Sequence, residues 1–511
     1  MMHLPILPIL LPLLAGIVLL LLRPLGVKMQ RMVSFGAGFA LLMLAVLLFD
    51  ASLSGQRQVY ALGNWSAPFG IVLVFDQLAA LMLLVTAVLA VGALWYAIVT
   101  ETDAQGRHFH VLFQMQLFGL NGAFLTGDAF NLFVFFEVLL LASYSLLLHG
   151  GGAKRTVAGL HYVVVNLVGS TVFLFALGAL YGALGTLNIA DMAVKVAALP
   201  AEREGLVMAA GLLLLVVFGL KAALFPLYLW LPAAYANTSA PVAALFAVMT
   251  KVGVYAIIRV HGTVFGAEAG NLAYFYAPWL LGLGLVTLLL ASLGVMAAFQ
   301  LRTQVAYLVL ASVATLLIAV GLQSQAALAA GLYYLVHSTL LAGGMFLLAD
   351  LIVRGRGDYA DRFDPGMQMP HYQLLGGVFL LAAMAAVGLP PLSGFFGKVW
   401  ILQAALAHPW HWVVLATVLL GSMLLLVALA RSGSVLFYKV KAKPDEADPV
   451  ITETIPAFGL GMVAVLWLLA AVPLLVVLAN PVSAVMERVA AQVLDVSGYQ
   501  AAVFAPVVGG K

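Results

Sequence analysis

Apolar residues in this chain run in blocks of about 20, separated by short polar breaks, from Leu4 almost to the C-terminus. A block of that length crosses a hydrocarbon core of about 30 Å as an α-helix, which satisfies its own backbone hydrogen bonds where water is absent. The pattern predicts an all-α polytopic membrane protein with about 14 transmembrane helices. They lie near 4–22, 32–49, 72–99, 109–127, 129–148, 157–181, 206–231, 240–265, 275–299, 305–322, 327–353, 374–402, 411–438 and 457–479. The first block is too long for a signal peptide, and its basic residues Arg23, Lys28 and Arg31 follow it, so it reads as a retained span. The connectors 182–205, 354–373 and 439–456 read as charged loops and 480–511 as a short tail.

Composition narrows the reading. The chain is 64% hydrophobic and 8% charged, against about 25% charged residues in ordinary globular domains. Water-soluble, disordered, coiled-coil and nucleic-acid-binding classes are thereby excluded, and the lipid bilayer is the surrounding solvent. The absence of Cys removes protein-ligated iron-sulfur clusters and thiol chemistry. No phosphate loop, catalytic triad or metal-ligand spacing is present, so neither enzyme chemistry nor a cofactor or metal is expected. The Gly178–Gly182 pair suggests helix packing. With the first connector in the cytoplasm, that side receives 13 of the loop Lys and Arg residues and the other side 5, which predicts both termini outside.

Five basic residues remain inside predicted spans: Lys221, Lys251, Arg259, Lys398 and Arg431. A charge near the bilayer centre costs roughly 2.5–3.5 kcal/mol even on the lenient insertion scale. Arg259 and Arg431 are near span ends, where a long side chain reaches water, so each is as readily an anchor as a functional group. Lys221, Lys251 and Lys398 are deeper, and Glu137 stands within Phe-Val-Phe-Phe-Glu-Val-Leu-Leu-Leu. Four such groups cost on the order of 10 kcal/mol unless they pair or meet water. Structural ion pairs are one reading, and a proton relay is the other. His337, also near mid-membrane, has a side chain whose ordinary titration range suits a relay. His161 lies nearer a span end, and His108 and His110 read as a solvated loop-to-helix face.

Two spans are interrupted, one at Gly219-Leu-Lys-Ala-Ala-Leu-Phe-Pro226 and one at Gly388-Leu-Pro390-Pro391-Leu-Ser-Gly-Phe-Phe-Gly-Lys398. Proline removes a donor and clashes with the preceding turn, so both helices should break, and a break inside a membrane needs protein or a hydrated cavity beside it. The stretch Leu139–Leu148 resembles Leu308–Leu317 at an offset of 169, and Gly159–Val164 resembles Gly331–Val336 at an offset of 172. Five spans is an odd number, so the second copy enters with reversed polarity. The expected organisation is helices 1–3 over 1–108, two inverted five-helix repeats over 109–265 and 275–438, then a loop, helix 14 and tail over 439–511.

The blocks Asn131-Leu-Phe-Val-Phe-Phe-Glu137-Val-Leu-Leu-Leu-Ala-Ser-Tyr, Lys221-Ala-Ala-Leu-Phe-Pro-Leu-Tyr-Leu-Trp-Leu-Pro, Lys251-Val-Gly-Val-Tyr and Gly388 to Lys398 resemble the antiporter-like subunits shared by respiratory complex I and Mrp-type Na+/H+ antiporters. The D-type subunits of the Mrp (Pha) group are the most similar. That resemblance implies a Glu137–Lys221 ion pair, central relay groups Lys251 and His337, and a terminal Lys398. It also implies a cation/proton antiporter in the cell inner membrane, assembled with other Mrp-type subunits (A, B, C, E, F and G) and carrying H+ and Na+. A proton-pumping subunit of a redox complex and a non-conducting scaffold are the competing readings. Burial disfavours the charged form of lysine and of glutamate alike, and pairing favours it. A Lys221 alternating between paired and unpaired states would hold or release its proton with the position of Glu137.

Overall fold

The computed structural model describes residues 3–366, 368–439 and 454–505. The chain starts with α1 (Leu7–Leu21) and α2 (Val27–Ser52), then an antiparallel hairpin of β1 (Gln58–Ala61) and β2 (Val72–Phe75) in the register Gln58 to Phe75. After α3 (Gln77–Val99) comes a first group of spans: α4 (Phe109–Leu125), α5 (Ala129–Leu148), the 32-residue α6 (Ala153–Leu184), α8 (Ala201–Lys221) with α9 (Trp230–Asn237), and α10 (Ala240–Phe246), α11 (Met249–Ala256) and α12 (Gly262–Val264). A short α7 (Ile189–Ala197) links α6 to α8.

The second group repeats that order. It has α13 (Ala277–Ala297), α14 (Leu301–Gly321), another 32-residue helix α15 (Gln325–Arg356), the interrupted pair α16 (Tyr372–Val387) and α17 (Ser393–Ala405), and α18 (His411–Gly433). The chain closes with α19 (Phe458–Leu469), α20 (Ala471–Val477), α21 (Ala479–Leu494) and α22 (Val496–Phe504).

Burial sorts these helices into an inner and an outer set. The inner set is α3, α10–α12, α14 and α15, whose residues are almost all enclosed. In contrast, α1, α2, α6 and α18 present Leu, Val and Phe outward. A helix apolar all round belongs in a membrane-protein core, and one with an open apolar face belongs against lipid or a partner.

Several expectations need correction. Among the described residues, 12 helices are long and apolar enough to cross a membrane unaided. The two further predicted spans correspond to the 17-residue α4 and to the interrupted α16–α17 pair. Residues 72–75, expected to start a span, form β2, and helix begins only after Asp76, whose carboxylate accepts from Ala79 N at 2.9 Å. The connector 182–205 contains α7. The tail 480–511 is also not simply a tail, since α21 and α22 fold back on the bundle. In α21, Met486, Val489, Ala490 and Val493 are buried at the spacing of one helical face. Arg57 holds this segment through Asp495 Oδ2 at 2.9 Å and Gln492 O at 2.6 Å. The connector 439–456 lies mostly outside the described residues.

Two further corrections concern side chains. Arg259 does not snorkel to water. It is buried, with Nη1 and Nη2 each 2.7 Å from an oxygen of Asp76 and with the Tyr499 ring 5.5 Å away. His110 is not solvated either, being buried 3.0 Å from Asp103 Oδ2, which Arg31 also contacts at 2.6 Å. Desolvation pushes the Asp103 carboxyl upward, but hydrogen bonds from His110 and Arg31 outweigh it and hold the group below the usual carboxylate range. Gly178 and Gly182 pack against nothing among the described residues, because a Cβ at either would meet none of their atoms within 4 Å.

Candidate functional site

Both proline-bearing spans break where the sequence places proline. In the first, α8 stops at Lys221 and helix resumes at Trp230. In the second, α16 stops at Val387, with Gly388 at φ +86° turning the chain, and α17 starts at Ser393. An α-helix would bond the carbonyls of Ala386 and Val387 to the nitrogens of residues 390 and 391, but both are proline and have no N–H. Lys398 Nζ takes those carbonyls instead, at 3.5 Å from Ala386 O and 2.6 Å from Val387 O, and also donates to Ser422 Oγ at 3.0 Å. The break therefore builds the cradle for the lysine that follows it.

Lys221, Lys251, His337 and Lys398 are 5%, 0%, 1% and 7% exposed, and Glu137 is half-buried on α5. Glu137 and Lys221 lie within electrostatic range of one another but form no ion pair within 4 Å, which corrects the pairing expected from the resemblance. Helix α6 stands between them. Ser170 Oγ donates to Glu137 Oε1, while Lys221 Nζ donates to Asn166 Oδ1 at 3.0 Å. Asn166 and Ser170 are one turn apart, so a single polar stripe of α6 engages both ionisable groups.

Helix α11 carries Lys251 past the first break. Gly253 makes this approach possible, since a Cβ there would stand 2.5 Å from Ala222 N and 2.8 Å from Phe218 O. Lys251 Nζ donates to Ser312 Oγ on α14 at 3.2 Å. Ser312 in turn lines an internal cavity of about 30 Å³ shared with Thr315, Tyr334, His337, Lys398 and Ser422. A cavity with polar partners holds a water molecule from about 10–15 Å³ upward, and although this lining is mostly aliphatic, its serine, threonine, histidine and lysine groups supply such partners. His337 Nδ1 is 2.8 Å from Ser393 Oγ, and Gly394 keeps the space open, because a Cβ there would lie 2.8 Å from His337 Nε2.

The structure thus brings His337 and Lys398 to one cavity, lets Lys251 reach its wall through Ser312, and joins Glu137 to Lys221 through α6. It leaves His161 on the exposed outer face of α6 and Arg431 exposed at the end of α18. Asn166, Ser170, Ser312, Thr315 and Ser422 are the residues that sequence reasoning missed. They are small neutral polar groups, and a search for buried charge passes over them. Ser143 and Ser312 nonetheless occupy the same place in the two repeated blocks, at the offset of 169, and that match was a usable signal. Among the described residues no cluster of His, Asp and Glu is arranged to hold a metal ion.

A polytopic helical protein with two broken spans and a row of buried ionisable groups has the architecture of an antiporter-like membrane subunit. Residues 126–424 match the family described as NADH:quinone oxidoreductase/Mrp antiporter, TM. The chain belongs to that family, and it is a transporter subunit by class and not an enzyme. The D-type subunit of a probable K(+)/H(+) antiporter of Rhizobium meliloti (strain 1021) is 43% identical to it over 85% of this chain and 87% of the relative. The D-type subunit of the Na(+)/H(+) antiporter of Bacillus subtilis (strain 168) is 36% identical over 83% and 85%. A chain in the Mrp complex from Dietzia sp. DQ12-45-1b superposes with a TM-score of 0.85 at 26% identity, covering 99% of this chain and 100% of that one. A chain of the archaeal membrane-bound sulfane sulfur reductase gives 0.86 at 25% identity, covering 98% and 99%.

Proposed function

We propose that this chain is a D-type member of a multi-subunit monovalent cation/proton antiporter in the cell inner membrane. In this reading it carries protons along Glu137, Lys221, Lys251, His337 and Lys398 to drive Na+ or K+ exchange. The observation that carries the reading is the choice of partners made by the buried lysines. Lys221, Lys251 and Lys398 donate to Asn166, Ser312 and Ser422, and among the described residues none forms a salt bridge within 4 Å. A scaffold stabilised by fixed charges would pair them, because an unpaired buried charge is costly. A lysine held by neutral acceptors next to a cavity is instead able to give up its proton to water.

Charge moves in two stages in this reading. In the first, Glu137 and Lys221 couple through the Ser170–Asn166 stripe, and a shift of α6 decides whether Lys221 keeps its proton. In the second, the proton passes from Lys251 by way of Ser312 and cavity water to His337 and Lys398, with the broken helices forming the hydrated connections to each face. The two five-helix units over 109–265 and 275–438 supply one half-path each, and the basic loops lie in the cytoplasm with both termini outside. Proton flux through the complete complex carrying Lys221→Ala or Glu137→Ala tests this directly, and wild-type flux in either variant rejects the relay.

The chain works with other subunits in this proposal, the A, B, C, E, F and G types of the Mrp group. Glu137 supports this, because it is half-exposed on an outer face where α5 and α6 also present Leu141, Leu167, Phe175 and the uncovered Gly178 and Gly182. A carboxylate open to lipid is unfavourable, and a neighbouring subunit there would cover it. Expressed alone in vesicles from antiporter-deficient cells, the chain is expected to show no cation-dependent proton exchange, and the full set of subunits to restore it. A redox-complex role is less well supported, since the relatives named as antiporter subunits are more similar in sequence than the redox-complex chains are.

A further inference from the structure

We propose that the cleft between the ends of α13, α14 and α18 binds the phosphate headgroup of an anionic phospholipid. The cleft has a volume of about 540 Å³, within the range of about 300–1,000 Å³ usual for small-molecule sites. Arg431 and Arg362 line it together with Gln300, Thr303 and Tyr307. None of the side chains of Arg431, Gln300, Thr303 and Tyr307 forms a hydrogen bond or ion pair among the described residues, so four donor-bearing groups line one space with their donors free for a ligand. Asp364, the one acidic residue of the lining, stands 3.4 Å from Arg362 Nε and offsets its charge, which leaves Arg431 unbalanced.

The position of the cleft selects lipid over a soluble anion. Its walls are the last turn of α13, the first turn of α14 and the last turns of α18, which places it at the membrane boundary. Phe299, 80% exposed, stands on its rim, and Leu293 of α13 and Leu426 and Val427 of α18 expose apolar surface below it for acyl chains. Gly294 shapes the floor, because a Cβ there would stand 2.2 Å from the Tyr307 ring that lines the site. Basic pockets between membrane helices favour anionic headgroups through charge, and hydroxyl and amide donors complete the coordination of phosphate oxygens. The site is separate from the buried row of ionisable groups.

The test uses the complete complex in lipid nanodiscs of phosphatidylcholine with or without phosphatidylglycerol, read by native mass spectrometry and by thermal unfolding. Phosphatidylglycerol is expected to stay bound to the wild-type complex and to raise its unfolding temperature. The doubly substituted Arg362→Gln, Arg431→Gln complex is expected to retain about 10- to 30-fold less of it, from the loss of two basic contacts, and to show no such rise. Lys195→Gln, on the distant α7, should behave as wild type. Equal retention by wild type and the double variant overturns the proposal. So does displacement of the lipid by inorganic phosphate, which would reassign the cleft to a soluble anion.

Discussion

The two five-span groups have the same order of helices and handle their lysines in opposite ways. In the first, Lys221 is held by an amide on a flanking helix, and aromatic rings pack around that helix and the end of α8. Tyr162 bonds Ser143 at 2.9 Å, its ring is 5.1 Å from that of Trp230, and Trp230 Nε1 donates to Leu220 O at 3.1 Å. In the second, the counterparts of that tyrosine and serine, Tyr334 and Ser312, line an open cavity with His337 and Lys398. An aromatic plug thus stands where the other group keeps room for water. The difference teaches that a repeat can keep its backbone and still fill equivalent space differently, with aromatic packing in one half and a small cavity in the other.

The largest expected effect breaks this comparison at the lysines themselves. Lys221→Ala and Lys398→Ala should each abolish cation-dependent proton exchange by the complete complex, measured in everted vesicles, yet they should differ in stability. Removing Lys221 leaves the buried Asn166 Oδ1 without its lysine partner and should cost about 1–3 kcal/mol, whereas the cavity beside Lys398 has room to admit water in the lysine's place. Equal losses of thermal stability would show that the two halves are not differently hydrated.

The next effect concerns the glycine contacts. Gly253→Ala and Gly394→Ala both force a Cβ against a backbone atom, at 2.5 Å from Ala222 N and 2.2 Å from Ala385 O, and overpacking of this kind costs about 1–3 kcal/mol. Gly394→Ala should additionally perturb His337, visible as a loss of exchange greater than its loss of folded protein. An exchange rate that simply follows protein level in both variants would remove any special place for His337.

A smaller effect sharpens the contrast between the cavity and its aromatic counterpart. Thr315→Val keeps its shape and removes a hydroxyl from the cavity wall, so it should slow exchange about tenfold, the order of one lost hydrogen bond to transferring water. Ser143→Ala, its neighbour's counterpart in the first group, should cost about 1 kcal/mol of stability and leave exchange near wild type. The reverse pattern would place the conducting water in the first group. Smallest of all, Gly178→Ala should shift the stability of the isolated chain by less than about 0.5 kcal/mol, since no atom of the described residues lies within reach of the new methyl. Weakened recovery of the other subunits with that variant would locate an interface on α6.

Much of this architecture is legible from the chain alone. The apolar blocks, the breaks at Pro226 and Pro390–Pro391, and the identity of the buried lysines all follow from local rules, because bilayer thickness and the missing proline N–H act on a few consecutive residues. Other features escape the same rules for local reasons. The face Met486, Val489, Ala490 and Val493 has a clear helical spacing, but it is too short to span a membrane, and hydropathy alone makes it a tail. The run from α10 to α12 forms the single span expected, Ala240–Val264, but its π-helical turn over Ile257–His261 has no proline to announce it.

What only the tertiary structure decided is who meets whom. Hydropathy marks Arg259 as costly, but Asp76, 183 positions away, makes it an ion pair rather than a snorkelling anchor. It marks Glu137 and Lys221 equally as buried charges. Yet the stripe of Asn166 and Ser170 on α6 comes between them, and Ser312 on α14 meets Lys251. The energy of a buried polar group depends on the few atoms within about 4 Å of it, and in a bundle of helices those atoms come from distant parts of the chain. The sequence by itself therefore determined which residues had to find partners in the membrane, and helix packing determined that the partners were neutral side chains and a small cavity.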